Sequence, residues 1–271
     1  MTINLKVESP ITNTNLMMNT NLLFIILVGA LVCAASAYLG SFMVLKRMSL
    51  VGDALSHVAL PGIAVALTFG INPMLGALLA LLLATIGIWY LSDHSEVYPE
   101  ALVGVFFTAS LSLGLLLTPE PELLEALFGN IDKIGITDGI LTFVGAAIIF
   151  VTTYIVSNKL LLGVISEDLA KSQGVKISRI NLIYLLLVAL VVALGVKFLG
   201  TLLTGAMVII PAASAKNVAN NIKNFHFLSI LFGIVSSIIG ILIARFFGIS
   251  SGPAVVLTAV VIFIASYVFK K

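Results

Sequence analysis

Apolar runs of membrane-spanning length follow one another along almost the whole chain, separated by short polar breaks. A helix needs about 20 apolar residues to cross the hydrocarbon core. A backbone surrounded by lipid must also satisfy its own hydrogen bonds. Both constraints point to an all-α fold, a polytopic transmembrane helical bundle. Charged residues make up 10% of the chain, whereas a soluble domain carries about 25%. The runs fall near 21–45, 49–70, 73–92, 99–118, 136–157, 179–199, 201–219, 227–248 and 253–269. That is nine spans, or eight if one short segment is re-entrant. The weakest is 201–219, which holds Pro211 and ends in the polar run AASAKNVANN.

Residues 1–20 are polar and rich in Asn and Thr, and read as a loosely ordered arm; 21–271 read as one membrane domain. The arm lacks the basic leader of a signal peptide, so the run after it is expected to stay as a helix. Orientation follows from the cations. Lys46 and Arg47, the group from Lys159 to Arg179, Lys216 and Lys223, and Lys270 and Lys271 all fall on one side when spans alternate. The positive-inside rule makes that side, and the C-terminus, cytoplasmic. The acidic stretch PEPELLEALFGNID, with Glu120, Glu122 and Glu125, then lies outside and reads as a solvated loop face.

Within the second span, RMSLVGDALSHVALPGIAVAL, Asp53 and His57 stand four residues apart. A charge at membrane depth costs at least about 2.5–3.5 kcal/mol, so it needs a partner or a task. Positions i and i+4 share one helix face, and an Asp oxygen with a His nitrogen makes half of a first-row divalent metal site. Pro61 lacks an N–H, so the carbonyl of His57 loses its helical partner and offers a further oxygen. Pro211 does the same to Met207. An intrahelical ion pair, or a hydrogen-bonded packing contact, is the competing account of Asp53 and His57; a satisfied kink is the competing account of the prolines.

The remaining features are weaker. Small residues at Ala30/Ala34, Ala37/Ser41, Gly233/Ser237 and Ser236/Gly240/Ala244 are a helix-packing signal. His94 and His226 are expected in solvated turns, and Lys197 and Arg245 are expected to extend to the interface from the outer ends of their spans. Trp89 and Tyr90 read as part of an interfacial aromatic belt. The single cysteine, Cys33, rules out a disulfide framework. No GxxxxGK[ST] phosphate loop occurs, so ATP has no P-loop to occupy in this chain. The hydrophilic segment at about 158–178 contains ISEDLAKSQG, which reads as a short helix. Ser166 is its N-cap, Glu167 and Asp168 lie in its first turn, and Gly174 ends it. The capping pattern serves an ordinary loop helix and a docking helix equally.

The run GSFMVLKRMSLVGDALSHVALPGIAVAL resembles the signature of the ABC-3 family, the permeases of bacterial metal-ion ABC transporters. LLEALFGNID, ISEDLAKSQGVKISRI, VKFLGTLLTGAMVIIPAASAK and GISSGPAVVLTAVVIF resemble further family segments in the family's order. The resemblance implies a permease in the bacterial plasma (inner) membrane that is not itself an enzyme. It implies two cytoplasmic ABC ATPase subunits, an extracytoplasmic metal-binding protein and a second permease copy, with a homodimer expected, and no nucleic acid. It implies no permanently bound cofactor, only a transported Zn2+, Mn2+ or Fe2+ ion touched by Asp53 and His57. It also makes Ser166, Glu167, Asp168, Leu169, Ala170 and Gly174 the coupling segment against the ATPase.

The expected mechanism is import by alternating access, driven by ATP from outside the chain. Weak, incomplete coordination suits an ion that must leave as well as enter. The alternative is an ion-driven secondary carrier, which would show inverted repeats; no second GDALSH-like segment occurs. An intramembrane metalloenzyme would need three ligands and a base around an activated water, and there is no HExxH.

Overall fold

The computed structural model describes residues 11–117, 126–129 and 135–269, and no strand occurs among them. Ten helices of six residues or more occur among the described residues. They are α1 (Ile11–Leu45), α2 (Ser49–Thr68), α3 (Pro73–His94), α4 (Pro99–Leu117), α5 (Ile136–Ile165), α6 (Glu167–Ser172), α7 (Ile177–Leu199), α8 (Thr201–Val218), α9 (Ile222–Phe247) and α10 (Ser251–Val268). Among the described residues, 9 helices are long and apolar enough to cross a membrane, in the order the hydropathy predicts.

The helix ends follow local chemistry. Pro73 opens α3 with its missing N–H where no partner is needed, and the Asn72 side chain accepts from Met74 N at 2.9 Å. Asn221 caps α9 by accepting from Asn224 N at 2.8 Å, and Gly248 closes that helix at φ 64°. At the end of α1, Met48 N donates to Met43 O at 3.0 Å and Arg47 N to Val44 O at 3.3 Å. This is the Schellman pattern, with Arg47 at φ 61° where glycine is the usual residue. The chain therefore re-enters helix at Ser49 almost at once.

At the centre lies α7, packed against α1, α3, α5 and α8, with Val188, Ala189 and Val192 fully buried. On one flank α1 crosses α9 where small residues predicted it: a Cβ on Gly233 would sit 2.9 Å from that of Ala37. On α9, Gly240 likewise brings the backbone against Val255 of α10. On the other flank α2 packs between α3, α4 and α8. Gly62 of α2 and Gly76 of α3 meet backbone to backbone, and Gly114 of α4 faces Leu60. The apolar side chains of α4 and α5, such as Leu116, Phe143 and Tyr154, stay on the outer surface, where a bilayer would solvate them.

Three boundaries differ from the hydropathy reading. Helix α1 begins at Ile11, so half of the expected irregular arm is helical backbone; residues 1–10 lie outside the described set. Helix α5 continues to Ile165, past the end of its apolar run, because nothing in SNKLLLGVI breaks a helix. Helix α9 starts at Ile222, which places His226 on a helix face and not in a turn. Glu120, Glu122 and Glu125 lie outside the described residues.

Candidate functional site

Asp53 and His57 occupy successive turns of α2, and both are half-buried. Among the described residues no direct hydrogen bond or salt bridge joins them or ties either to another side chain, and the Asp53 carboxylate reaches the His57 ring only through space. The His57 Nδ1 is buried without a hydrogen-bond partner. Its ring meets Phe107 of α4 edge-on, with centroids 5.3 Å apart. A carboxylate and an imidazole on one face, both with free valence, are suited to a cation passing between helices. Among the described residues no cluster of three or more His, Cys, Asp or Glu could hold a metal ion.

The position of the pair is fixed by α8. Ser56 Oγ donates to Asp53 O at 2.6 Å and to Thr201 O at 2.5 Å, which pins the middle of α2 to the first turn of α8. One turn further along α8, Gly205 faces Asp53 directly: a Cβ there would lie 2.5 Å from Asp53 Cα and 2.8 Å from its Oδ1. The α7–α8 junction that sets this register turns on Gly200 at φ 82°, packed against Gly129 and the carbonyl of Leu127. Gly252 of α10 closes the same corner. Leu127–Gly129, the α7–α8 turn at Gly200 and the start of α10 at Gly252 thus meet at one glycine-lined junction beside α2. Helix α2 runs through Pro61 without interruption, and Pro211 is buried within α8.

Away from this pair, α6 forms as its sequence predicts. Ser166 Oγ accepts from Leu169 N at 3.2 Å, and Gly174 closes the helix at φ 76° with Val175 N donating to Ala170 O at 3.0 Å. Ala170 is its buried anchor, while Leu169, Glu167 and Lys171 stay exposed. Beside α6 a polar cavity of about 560 Å3 opens between the α1–α2 turn and the ends of α3, α4, α5 and α7.

A family comparison matches the ABC 3 transport family over residues 18–270. The chain belongs to the ABC 3 transport family. It is 32% identical over 238 residues to the manganese transport system membrane protein MntC of Listeria monocytogenes, covering 86% of this chain and 85% of that one. It is 31% identical over 251 residues to the high-affinity zinc uptake system membrane protein ZnuB of Haemophilus influenzae, covering 91% and 96%. Its fold superposes on PsaBC from Streptococcus pneumoniae in complex with Fab, with a TM-score of 0.80, 33% identity and coverage of 90% and 89%. This ABC 3 protein is thus a multi-pass membrane permease and not an enzyme.

Several side chains of this permease do other than the sequence reading expects. Lys197 does not extend to the interface; its Nζ lies 2.6 Å from Asp138 Oδ1, and Asp138 is 8% exposed. Asp138 also accepts from Gly135 N at 2.9 Å, capping α5. Reading Lys197 alone missed the pair; an Asp in the first turn of a span was the available signal. His226 is packed against Phe42 with ring centroids 4.4 Å apart and shares a 2.5 Å hydrogen bond with Ser41, so it is a packing residue and not a solvated one. His94 ends α3 on an exposed face, stacked on Tyr90 at 4.3 Å. Trp89 faces inward, donating to Ser178 O at 3.0 Å, so it ties α3 to α7; Tyr90 keeps the exposed, belt-like position.

Proposed function

We propose that this chain is the permease subunit of an ATP-driven importer of a divalent metal ion, manganese or zinc, with ferrous iron as a third substrate. The observation that carries the reading is the unpaired Asp53 and His57 on one face of α2, within a chain whose family relatives are named for manganese and zinc transport. Hard and borderline ligands without thiolate favour these ions over cuprous copper. A second copy, forming a homodimer, would complete the coordination shell. An extracytoplasmic binding protein delivers the ion, and two ATPase subunits on the cytoplasmic side supply the energy. The chain sits in the inner membrane with its C-terminus cytoplasmic, which follows from the placement of Lys and Arg.

In this reading Asp53 and His57 hold the ion briefly while the spans alternate between outward and inward access. Pro61 frees the His57 carbonyl to assist, and Pro211 gives α8 a point of bending. Helix α6 seats against the ATPase: Ser166 fixes its start and Gly174 its end, Ala170 anchors it, and Glu167, Asp168 and Leu169 present the contacting face.

The test is uptake of radioactive manganese, zinc and iron in cells carrying the permease with its ATPase and binding protein. Uptake of one metal that is lost with an inactive ATPase, and again in Asp53→Ala with the complex still assembled, is the expected result. Uptake that survives an inactive ATPase would point to a secondary carrier. Normal uptake by Asp53→Ala would remove that residue from the path.

A further inference from the structure

Lys46 stands between the α6 region, across a shared cavity, and α2, from which two residues separate it along the chain. Its Nζ donates to Asn181 Oδ1 of α7 at 2.8 Å and lies 4.7 Å from the centre of the Tyr184 ring. It lines the 560 Å3 cavity together with Glu100 of the first turn of α4 and Glu167, the first residue of α6. The Tyr184 hydroxyl, buried and without a partner, belongs to a residue of the same wall. Burial pushes the Lys46 ammonium below the usual lysine range, while Glu167 and Glu100 pull it back up. A cation in a partly enclosed cavity interacts with carboxylates more strongly than it would in open water.

The backbone of Lys46 is no looser than its side chain. Lys46 N donates to Phe42 O at 2.9 Å, and the Schellman closure around it leaves only Arg47 and Met48 before α2 begins. A displacement felt at the Lys46 ammonium therefore reaches the N-terminal end of α2 as a rigid shift. Asp53 and His57 lie in the turns that follow. By contrast, the other charge partner of Glu167 is Lys171 of its own helix, 3.9 Å away with both side chains exposed. A surface pair of that kind contributes little and leaves Glu167 available to Lys46.

We propose that Lys46 is the positioning residue that carries movement of α6 to α2 and so to the Asp53–His57 pair. It couples the two by holding Asn181 and Tyr184 of α7 on one side and facing the Glu167 carboxylate across the cavity. The inference rests on the permease reading above and adds the route by which the energy-supplying side addresses the ion-contacting helix.

The experiment uses the full complex with its ATPase and binding protein in proteoliposomes. ATP hydrolysis and uptake of radioactive manganese or zinc, whichever the wild type takes up, are read in the same vesicles. Lys46→Met keeps the stem and removes the charge. It is expected to leave hydrolysis within about twofold and to lower uptake per ATP about tenfold, within the usual range of coupling between sites. Lys46→Arg restores most of the ratio. Glu167→Gln lowers it as well, and the double variant is no worse than Lys46→Met, as shared coupling requires.

If hydrolysis and uptake fall in parallel, so that uptake per ATP is unchanged, Lys46 only holds the fold and the proposal is overturned. Additive losses in the double variant overturn it too. Should Lys46→Met fail to assemble, Asn181→Leu carries the same measurement. A wild-type complex that takes up neither of these metals nor iron refutes the permease reading and this link with it. An unchanged ratio in an active complex refutes only the link.

Discussion

Gly205→Ala is the smallest change that tests whether the contact between α2 and α8 sets the geometry of the proposed ion-contacting pair. The added Cβ would lie 2.5 Å from Asp53 Cα and 2.8 Å from Asp53 Cβ and Oδ1, against 3.4 Å where ordinary contact begins. The nearest neighbour is backbone, which cannot rotate away, so the helices must part by about 0.9 Å, the difference between those distances. One turn away the Ser56–Thr201 hydrogen bond, now 2.5 Å, would open to about 3.4 Å, past the useful range. Overpacking costs about 1–3 kcal/mol and the lost hydrogen bond about 1 more. The functional loss should be larger, since a misplacement of about 1 Å in a working site can cost roughly 100-fold. Thermal unfolding of the purified permease should show a modest drop, and metal uptake by the assembled transporter should fall by at least tenfold. Gly104→Ala is the control: nothing lies within 4 Å of its would-be Cβ, so uptake should stay at wild type. Gly205→Ala with wild-type uptake and melting would falsify the claim that this contact positions Asp53.

Other expectations follow from the same geometry. Lys197→Met should destabilise by about 3 kcal/mol, because it strands Asp138 in a buried site; adding Asp138→Asn should recover part of the loss in thermal melts, and a double variant as unstable as the single would refute the pairing. Arg47→Gly should stabilise by about 1 kcal/mol by relieving the left-handed backbone at φ 61°, visible as a raised melting temperature. Ser166→Ala should fray α6 at a cost of about 1 kcal/mol and reduce co-purification of the ATPase without altering the metal preference of uptake.

What could be read in advance and what could not divides along the range of the interactions. The spans were legible because each depends on its own hydropathy, and α6 because Ser166, Glu167 and Gly174 are local signals that act within a turn or two. Asp53 and His57 were legible as a pair because the i,i+4 spacing puts them on one face whatever surrounds them. Their free valence was not, since it depends on what α4 and α8 present to them. Lys197 was misread for the same reason: its carboxylate partner comes from a different span, and hydropathy assigns no neighbours. His226 was misread through a boundary error, as an Asn cap on α9 outweighed the polar character of the turn.

The Gly205 contact belongs to the same class as Lys197 and His226. In GTLLTGAMV the glycine reads as one of several small residues, and nothing local distinguishes a face turned to Asp53 from a face turned to lipid. The distinction arises at the α7–α8 junction, where Gly200 can adopt φ 82° only because it lacks a Cβ, and where Gly129 and Leu127 close over it. That turn sets the rotation of α8, and the rotation decides which small residue meets Asp53. The geometry around Asp53 is therefore set as much by glycines that bear no chemistry of their own as by the Ser56 hydroxyl. A substitution survey restricted to charged and polar side chains would reach Asp53, His57 and Ser56 and miss Gly200 and Gly205, which set how α8 meets them.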